Sequence, residues 1–218
     1  MRRVASSLSR AIAAPRWRMS PTSSASPKAL YLYVESKEAL FDLVARYADS
    51  DRPFENPPPL PVATPKPGAT LDYVRQRLLE NRSLAALGAA LGRQRVTNAR
   101  AEIAAIVVEL YQAMAHNRHG LRLLDRAAAD MPELAALWFA GARGGLIAML
   151  EQYLRDRTRR GKLRPVPDTS VAARLIIETV VFWAVHRHWD PHPQTVRDDI
   201  AQATVVQLIC DALVKESV

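Results

Sequence analysis

One cysteine, Cys210, stands in 218 residues. No intrachain disulfide can form, and a reducing compartment, the cytoplasm, is the expected setting. Glycine is scarce too, at 8 residues, and aromatics reach only 6%. With Ala, Leu and Arg abundant, that scarcity favours helices over sheet. The longest apolar run, Val171–Val185, is broken by Arg174 and Glu178 and is too short to cross a bilayer, so no membrane partner is expected. No Ser/His/Asp order, paired carboxylate motif or glycine-rich phosphate loop stands out, so the chain is not read as an enzyme and no cofactor is expected. Acid is missing from the first 34 residues, where Arg2, Arg3, Arg10, Arg16, Arg18 and Lys28 are the charged side chains. With a net charge of +8, that asymmetry points to a polyanionic partner.

The chain divides into a head (1–50), a proline-rich linker (51–68, including Pro57–Pro58–Pro59) and a helical body (69–218). A proline triplet cannot be helical, so the linker reads as extended. In the body, apolar spacing predicts helices over about 70–91 and 98–117, the second with Ile103, Ile106, Val107, Leu110, Tyr111 and Met114 as its stripe. A short piece lies between Gly120 and Pro132. A long helix then opens at Pro132 and is stopped near Arg160 by Gly161. Asp168 or Thr169 caps another helix to about Trp189, and a last one covers about 194–215. The final two are apolar on more than one face, which predicts that they pair with the same helices of a second copy, a homodimer.

The segment Ser26–Phe41, SPKALYLYVESKEALF, carries the sharpest signal. Ser26 can cap a helix and Pro27 fits its first turn. Leu30 and Val34, four apart, share a buried face, while Tyr31 and Tyr33 point elsewhere. Ser36 caps the next helix. Lys37 sits at its start, where the dipole disfavours a cation unless an anion such as phosphate is near. This run resembles the recognition helix, turn and following helix of TetR-type transcriptional repressors, the tetracycline-repressor family. The resemblance implies an all-α fold, with a small helix-turn-helix head on a larger ligand-binding and dimerisation domain. It also implies a double-stranded, palindromic DNA operator and release from it by a small-molecule effector. Carried over, Pro27, Lys28 and Ala29 face bases, and Tyr31, Tyr33 and Lys37 contact the backbone or groove wall. Leu30, Val34 and Phe41 are structural.

Residues 1–25 depart from that family. An amphipathic first helix and a supporting helix are expected there, but Pro15, Pro21 and Ser20–Ser24 interrupt any helix. The composition overlaps with that of a transit peptide. A shifted reading frame accounts for it better: GC-rich back-translation of residues 15–26 permits Val-Ala-Asp-Val-Ala-Asp-Leu-Val-Gly-Val, a family-like supporting helix and turn. Residues 1–25 are thus expected to be disordered or out of frame. The alternative function is a helical dimer that binds a ligand or protein but has lost DNA binding.

Two further groups invite chemistry. Tyr111, Met114, Trp138, Phe139, Arg143 and Trp183 are the larger or polar candidates for an effector pocket, with ordinary core as the alternative. His186, His188 and His192 sit in HRHWDPH, but their spacing does not suit a helical ligand pair, and no metal site is expected. Arg155, Arg157, Arg159, Arg160 and Lys162 read as a solvated, dipole-matched helix end.

Overall fold

Ser36 opens the head. Its backbone is extended and its Oγ accepts from Ala39 N, capping helix α2 (Lys37–Tyr47). Among the described residues, α1 (Pro27–Leu30) lies ahead of it. The computed structural model describes residues 27–50, 55, 57–80, 84–192 and 195–215. What was expected of residues 1–25 and of a Ser26 cap lies outside them.

The body continues through α3 (Ala69–Glu80), α4 (Ala85–Gly92), α5 (Ala99–His116) and α6 (Arg118–Ala127). A long helix follows, made of α7 (Pro132–Ala135), a π-helical stretch (Ala136–Arg143) and α8 (Gly144–Arg159). Then come α9 (Thr169–Ala184), a 3-10 turn (His186–Trp189) and α10 (Asp198–Leu213). The described residues hold no strand beyond the isolated bridges Val34–Val62 and Leu163–Val214, and the fold is all-α. Leu110, Tyr111, Leu150, Leu154, Ile177, Val180 and Val205, from α5, α8, α9 and α10, share one core.

Several boundaries differ from the sequence reading. The helix expected over 70–91 is two helices, because Leu84 is extended (φ −86°, ψ 94°). The helix expected to reach Trp189 leaves α-geometry at Val185 (φ −120°, ψ −68°). The last helix starts at Asp198, where two aspartates face its positive end, rather than near Gln194, which lies outside the described residues. Its end is fixed by Arg164 N donating to Leu213 O at 2.7 Å. Gly161 (φ 71°) does end the long helix.

The arginine run at that helix end is not wholly solvated. Arg157 is buried; its Nε donates to Glu102 Oε1 at 2.7 Å and its Nη2 to Ala90 O at 2.5 Å. Its guanidinium lies 5.2 Å from the Tyr153 ring centroid. Arg155, Arg159 and Arg160 stay exposed. Residues Pro132–Arg159 also form a helix long and apolar enough, by length and composition, to cross a bilayer, longer than the runs weighed from sequence. Its second half carries Leu150, Tyr153, Leu154 and Arg157 into the core.

The expected linker is strapped to the head. Val62 N donates to Tyr33 O at 2.8 Å and Glu35 N donates to Val62 O at 3.0 Å. Thr64 N reaches Glu35 Oε2 at 2.8 Å. Past α1 the chain makes one more turn, with Tyr33 N at 3.0 Å and Val34 N at 3.3 Å from Leu30 O. Leu30 and Val34 are not buried together as expected: Val34 is 2% exposed but Leu30 is 39% exposed.

Candidate functional site

An apolar cavity of ≈ 140 Å³ lies inside the body. Leu110, Ala113 and Met114 line it from α5, and Leu121 and Asp125 from α6. Trp138, Ala142 and Arg143 face it from the π-helical stretch, Leu146 and Met149 from α8, and Ile177 and Val181 from α9. Wide π turns inside α-helices are frequent at functional sites, and here one forms a wall.

Few polar groups reach this space, and most are already engaged. Trp138 Nε1 donates to Asp125 Oδ1 at 2.7 Å. His186 Nε2 stands 3.6 Å from Asp125 Oδ2. Arg143 Nη2 donates to both oxygens of Glu178 at 2.5 Å, and Arg174 pairs with the same carboxylate. Arg143 Nε is buried with no hydrogen-bond partner.

Three of the six pocket candidates come together here: Met114, Trp138 and Arg143. Tyr111 is buried core instead, its hydroxyl donating to Trp183 O at 3.2 Å, and burial raises its pKa. Trp183 lines a separate groove of ≈ 660 Å³ between α9 and α10, and Phe139 is exposed. Sequence reasoning missed Asn117, Leu121 and Asp125. Their i, i+4, i+8 spacing, which puts all three on one helix face, was the available signal.

Helix α6 links this cavity to the head. Its N-cap, Asn117, makes no side-chain cap bond and donates Nδ2 to Ala113 O at 2.8 Å instead. The first-turn amides are served from the head. Asp49, just past α2, accepts from His119 N at 2.8 Å and from Gly120 N at 2.7 Å. Phe41 of α2 packs with Leu124, Ala127 and Leu134. On its other side, Arg118 Nη2 donates to Asp198 Oδ2 at 2.7 Å and Arg118 Nη1 lies 2.7 Å from His188 Nε2. Arg187 joins through Asp198 Oδ1, and His119 meets Trp189 edge to face. A second, more polar chamber of ≈ 290 Å³ lies between α2, α3 and α6, beside Arg46, Asp49, Tyr73 and Arg77. It shares Leu78, Asn117 and Leu121 with the inner cavity.

The three histidines take different surroundings. His186 lies by Asp125 and His188 by Arg118 and Asp198, while His192 is exposed. Of the residues expected to meet DNA, Tyr31 (48%) and Tyr33 (56%) are exposed. Lys37 is exposed at the first position of α2, and Ala29 is half-buried. The side chains of Pro27 and Lys28 lie outside the described residues.

Comparison with curated proteins and with solved structures finds no match. Residues 102–211 match the family described as AefR-like transcriptional repressor, C-terminal domain. That span is half of the chain and runs from α5 through α10, the helices that build most of the cavity wall. The chain therefore belongs to the TetR family of transcriptional regulators, with an AefR-like C-terminal domain.

Proposed function

We propose that this regulator is a homodimeric repressor that holds a palindromic operator and releases it when a small molecule fills the inner cavity. One observation carries the reading. Helix α6 forms part of the cavity wall through Leu121 and Asp125, and the same helix has its N-terminal amides bonded to Asp49 of the head. A ligand that displaces α6 acts on the head through that bond, so its affinities for the two arrangements differ and the operator is coupled to the effector. Pro27, Lys28 and Ala29 would read bases, with Tyr31, Tyr33 and Lys37 holding the backbone.

Dimerisation uses α9 and α10. Val171, Leu175 and Phe182 on α9, and Ile200 and Leu208 on α10, are exposed, and Leu175 and Leu208 line the groove between these helices. A second copy presenting the same face would bury them.

A second reading follows from the departure of residues 1–25 from the family pattern. Pro15, Pro21 and Ser20–Ser24 interrupt the supporting helix expected there, so the chain as written is a ligand-binding dimer with weakened hold on DNA. The test selects bound duplexes from a random pool and titrates the best palindrome at fixed salt. A version with the shifted frame restored across residues 15–26 should bind at least tenfold more tightly, about 1.4 kcal/mol. Lys37→Ala should weaken both and reduce the salt dependence. Equal affinities remove the second reading, and no operator from either version removes the first.

A further inference from the structure

We propose that the inner cavity accepts a compact, uncharged, aromatic molecule of about one ring, and discriminates against carboxylates and ammonium ions. The inference rests on reading the body as an effector domain and names the class of effector.

Size comes first. An apolar cavity of about 150 Å³ in another protein stays dry and admits benzene, and this one measures ≈ 140 Å³. A fatty chain or a system of three or more fused rings would extend out of the cavity rather than lie within it. The walls set the chemistry. Leu110, Leu146, Ile177 and Val181 offer dispersion and no hydrogen bond, and Met114 and Met149 add polarisable sulfur beside an aromatic occupant. Trp138 supplies a ring already held by Asp125, with room for edge or offset stacking.

Charge decides the rest. A carboxylate needs a cation whose charge is not already neutralised, but Arg143 is paired through Nη2 with Glu178, which Arg174 also binds, and its unpartnered Nε offers one buried donor rather than a pair. The remaining charge in the wall is Asp125, which repels an anion. An ammonium ion gains little from Asp125, because that carboxylate already accepts from Trp138 and faces His186. Desolvating either ion is then uncompensated, whereas a neutral ring incurs no such cost.

Calorimetry on the full chain without DNA tests this, with indole and anisole as neutral probes and benzoate, benzylammonium and decanoate as the others. Indole and anisole should bind at least tenfold more tightly than the three charged compounds and raise Tm. Ala113→Leu and Ala142→Leu, each filling the cavity from a different helix, should abolish that binding while keeping a cooperative melt. Asp125→Asn retains an acceptor for Trp138. It should narrow the preference over benzoate at least fivefold with little change for indole. Any of three results overturns the proposal: neutral probes that fail to bind, neutral binding that survives both filled variants, or charged probes binding as well as neutral ones. Operator binding does not enter the measurement, so a failed repressor reading leaves it standing. Conversely, operator release by benzoate, lost in the filled variants, would overturn the ligand class and leave the repressor reading intact.

Discussion

Gly120 sits in the first turn of α6, and a Cβ there would fall inside 3.0 Å of Asp49 Oδ2. Real Cβ atoms do not stand that close, so in Gly120→Ala the carboxylate must leave the amides of His119 and Gly120. Capping of this kind is worth about 0.5–2 kcal/mol. A carboxylate at a helix N-terminus in a partly buried setting adds up to about 2 kcal/mol, and the Asp49 side chain is only 10% exposed. We take about 2 kcal/mol for the contact as a whole. Against it stands the preference of helices for Ala over Gly, at most about 1 kcal/mol. Gly120→Ala should therefore destabilise by about 1 kcal/mol, lowering Tm by about 2–4 °C for a chain of this size. Asp49→Ala lacks the compensating gain and should lower it about twice as far. Gly88 is the internal control. It lies in α4 with nothing within 4 Å of where an added methyl would stand, so Gly88→Ala should raise Tm by about 2–4 °C. The same chemical change is thus expected to have opposite signs at two helix positions. Thermal melts followed by circular dichroism at 222 nm read all three variants. If Gly120→Ala and Gly88→Ala shift Tm upward alike, the bond between the head and α6 contributes nothing, and the proposed coupling route goes with it.

Arg157→Met should cost about 3 kcal/mol, because Glu102 is left buried with only the longer 3.3 Å contact to Arg93. Adding Glu102→Gln should recover part of that loss, and a single-variant loss under about 1 kcal/mol by urea titration would refute the pairing. Leu175→Glu or Leu208→Glu puts a charge on the exposed face of α9 or α10, and should turn the proposed dimer into a folded monomer by sedimentation at micromolar concentration; an unchanged dimer would place the interface elsewhere. Burial, then the Arg118 and Arg187 charges, lower the pKa of His188. Burial raises that of Asp198, but bonds to Arg118 and then the arginine charges outweigh it and hold it low. Both groups bind fewer protons folded than unfolded, so stability rises with pH. The His188 contribution is lost as pH falls below 6.5, its ordinary value, and that of Asp198 only as pH falls through a pKa below 3.8. Tm should drop between pH 7.5 and 5, and His188→Gln should reduce that drop; an identical drop in both proteins assigns it elsewhere.

Helices with a one-sided apolar stripe were legible from sequence. The stripe Ile103, Ile106, Val107, Leu110 and Tyr111 is buried along α5, and Asn98 caps it by accepting from Ala101 N at 2.9 Å. Caps of that local kind follow from residue type and spacing. Caps supplied from a distance do not. Helix α4 has no side-chain cap of its own; its first amides are met by Glu109, with Ala85 N at 2.7 Å and Ala86 N at 2.9 Å. Asp49 does the same for α6 across 71 residues of chain. At α6 the sequence offers Asn117 as the cap, yet its Nδ2 turns back to Ala113 O and the distant Asp49 meets the amides; an aspartate or glutamate far away looks like one more solvated charge. The Arg157–Glu102 pair was hidden for the same reason. One buried arginine among four exposed basic neighbours has no local mark.

The site divides along the same physical line. Trp138, Met114 and Arg143 could be chosen because large or charged side chains in an apolar helix stand out. Tyr111 and Trp183 stand out equally, yet one seals the core and the other faces the α9–α10 groove. Residue type fixes what a side chain can do, and helix rotation decides which space it does it in. Rotation is altered here by the π-helical stretch, whose wider turn re-aims the residues around Trp138 relative to a regular helix. Phe139, the next residue along, is exposed while Trp138 lines the cavity. In the head, the deciding influence was the strap. The spacing of Leu30 and Val34 is helical and Val34 N does donate to Leu30 O, but Val62 takes up Tyr33 O and Glu35 N, the acceptor and donor that a continuing helix would need. Running a helix on through Glu35 therefore requires breaking two strap hydrogen bonds. The Tyr31 and Tyr33 side chains beside the strap are exposed, as the proposed contact with a duplex requires.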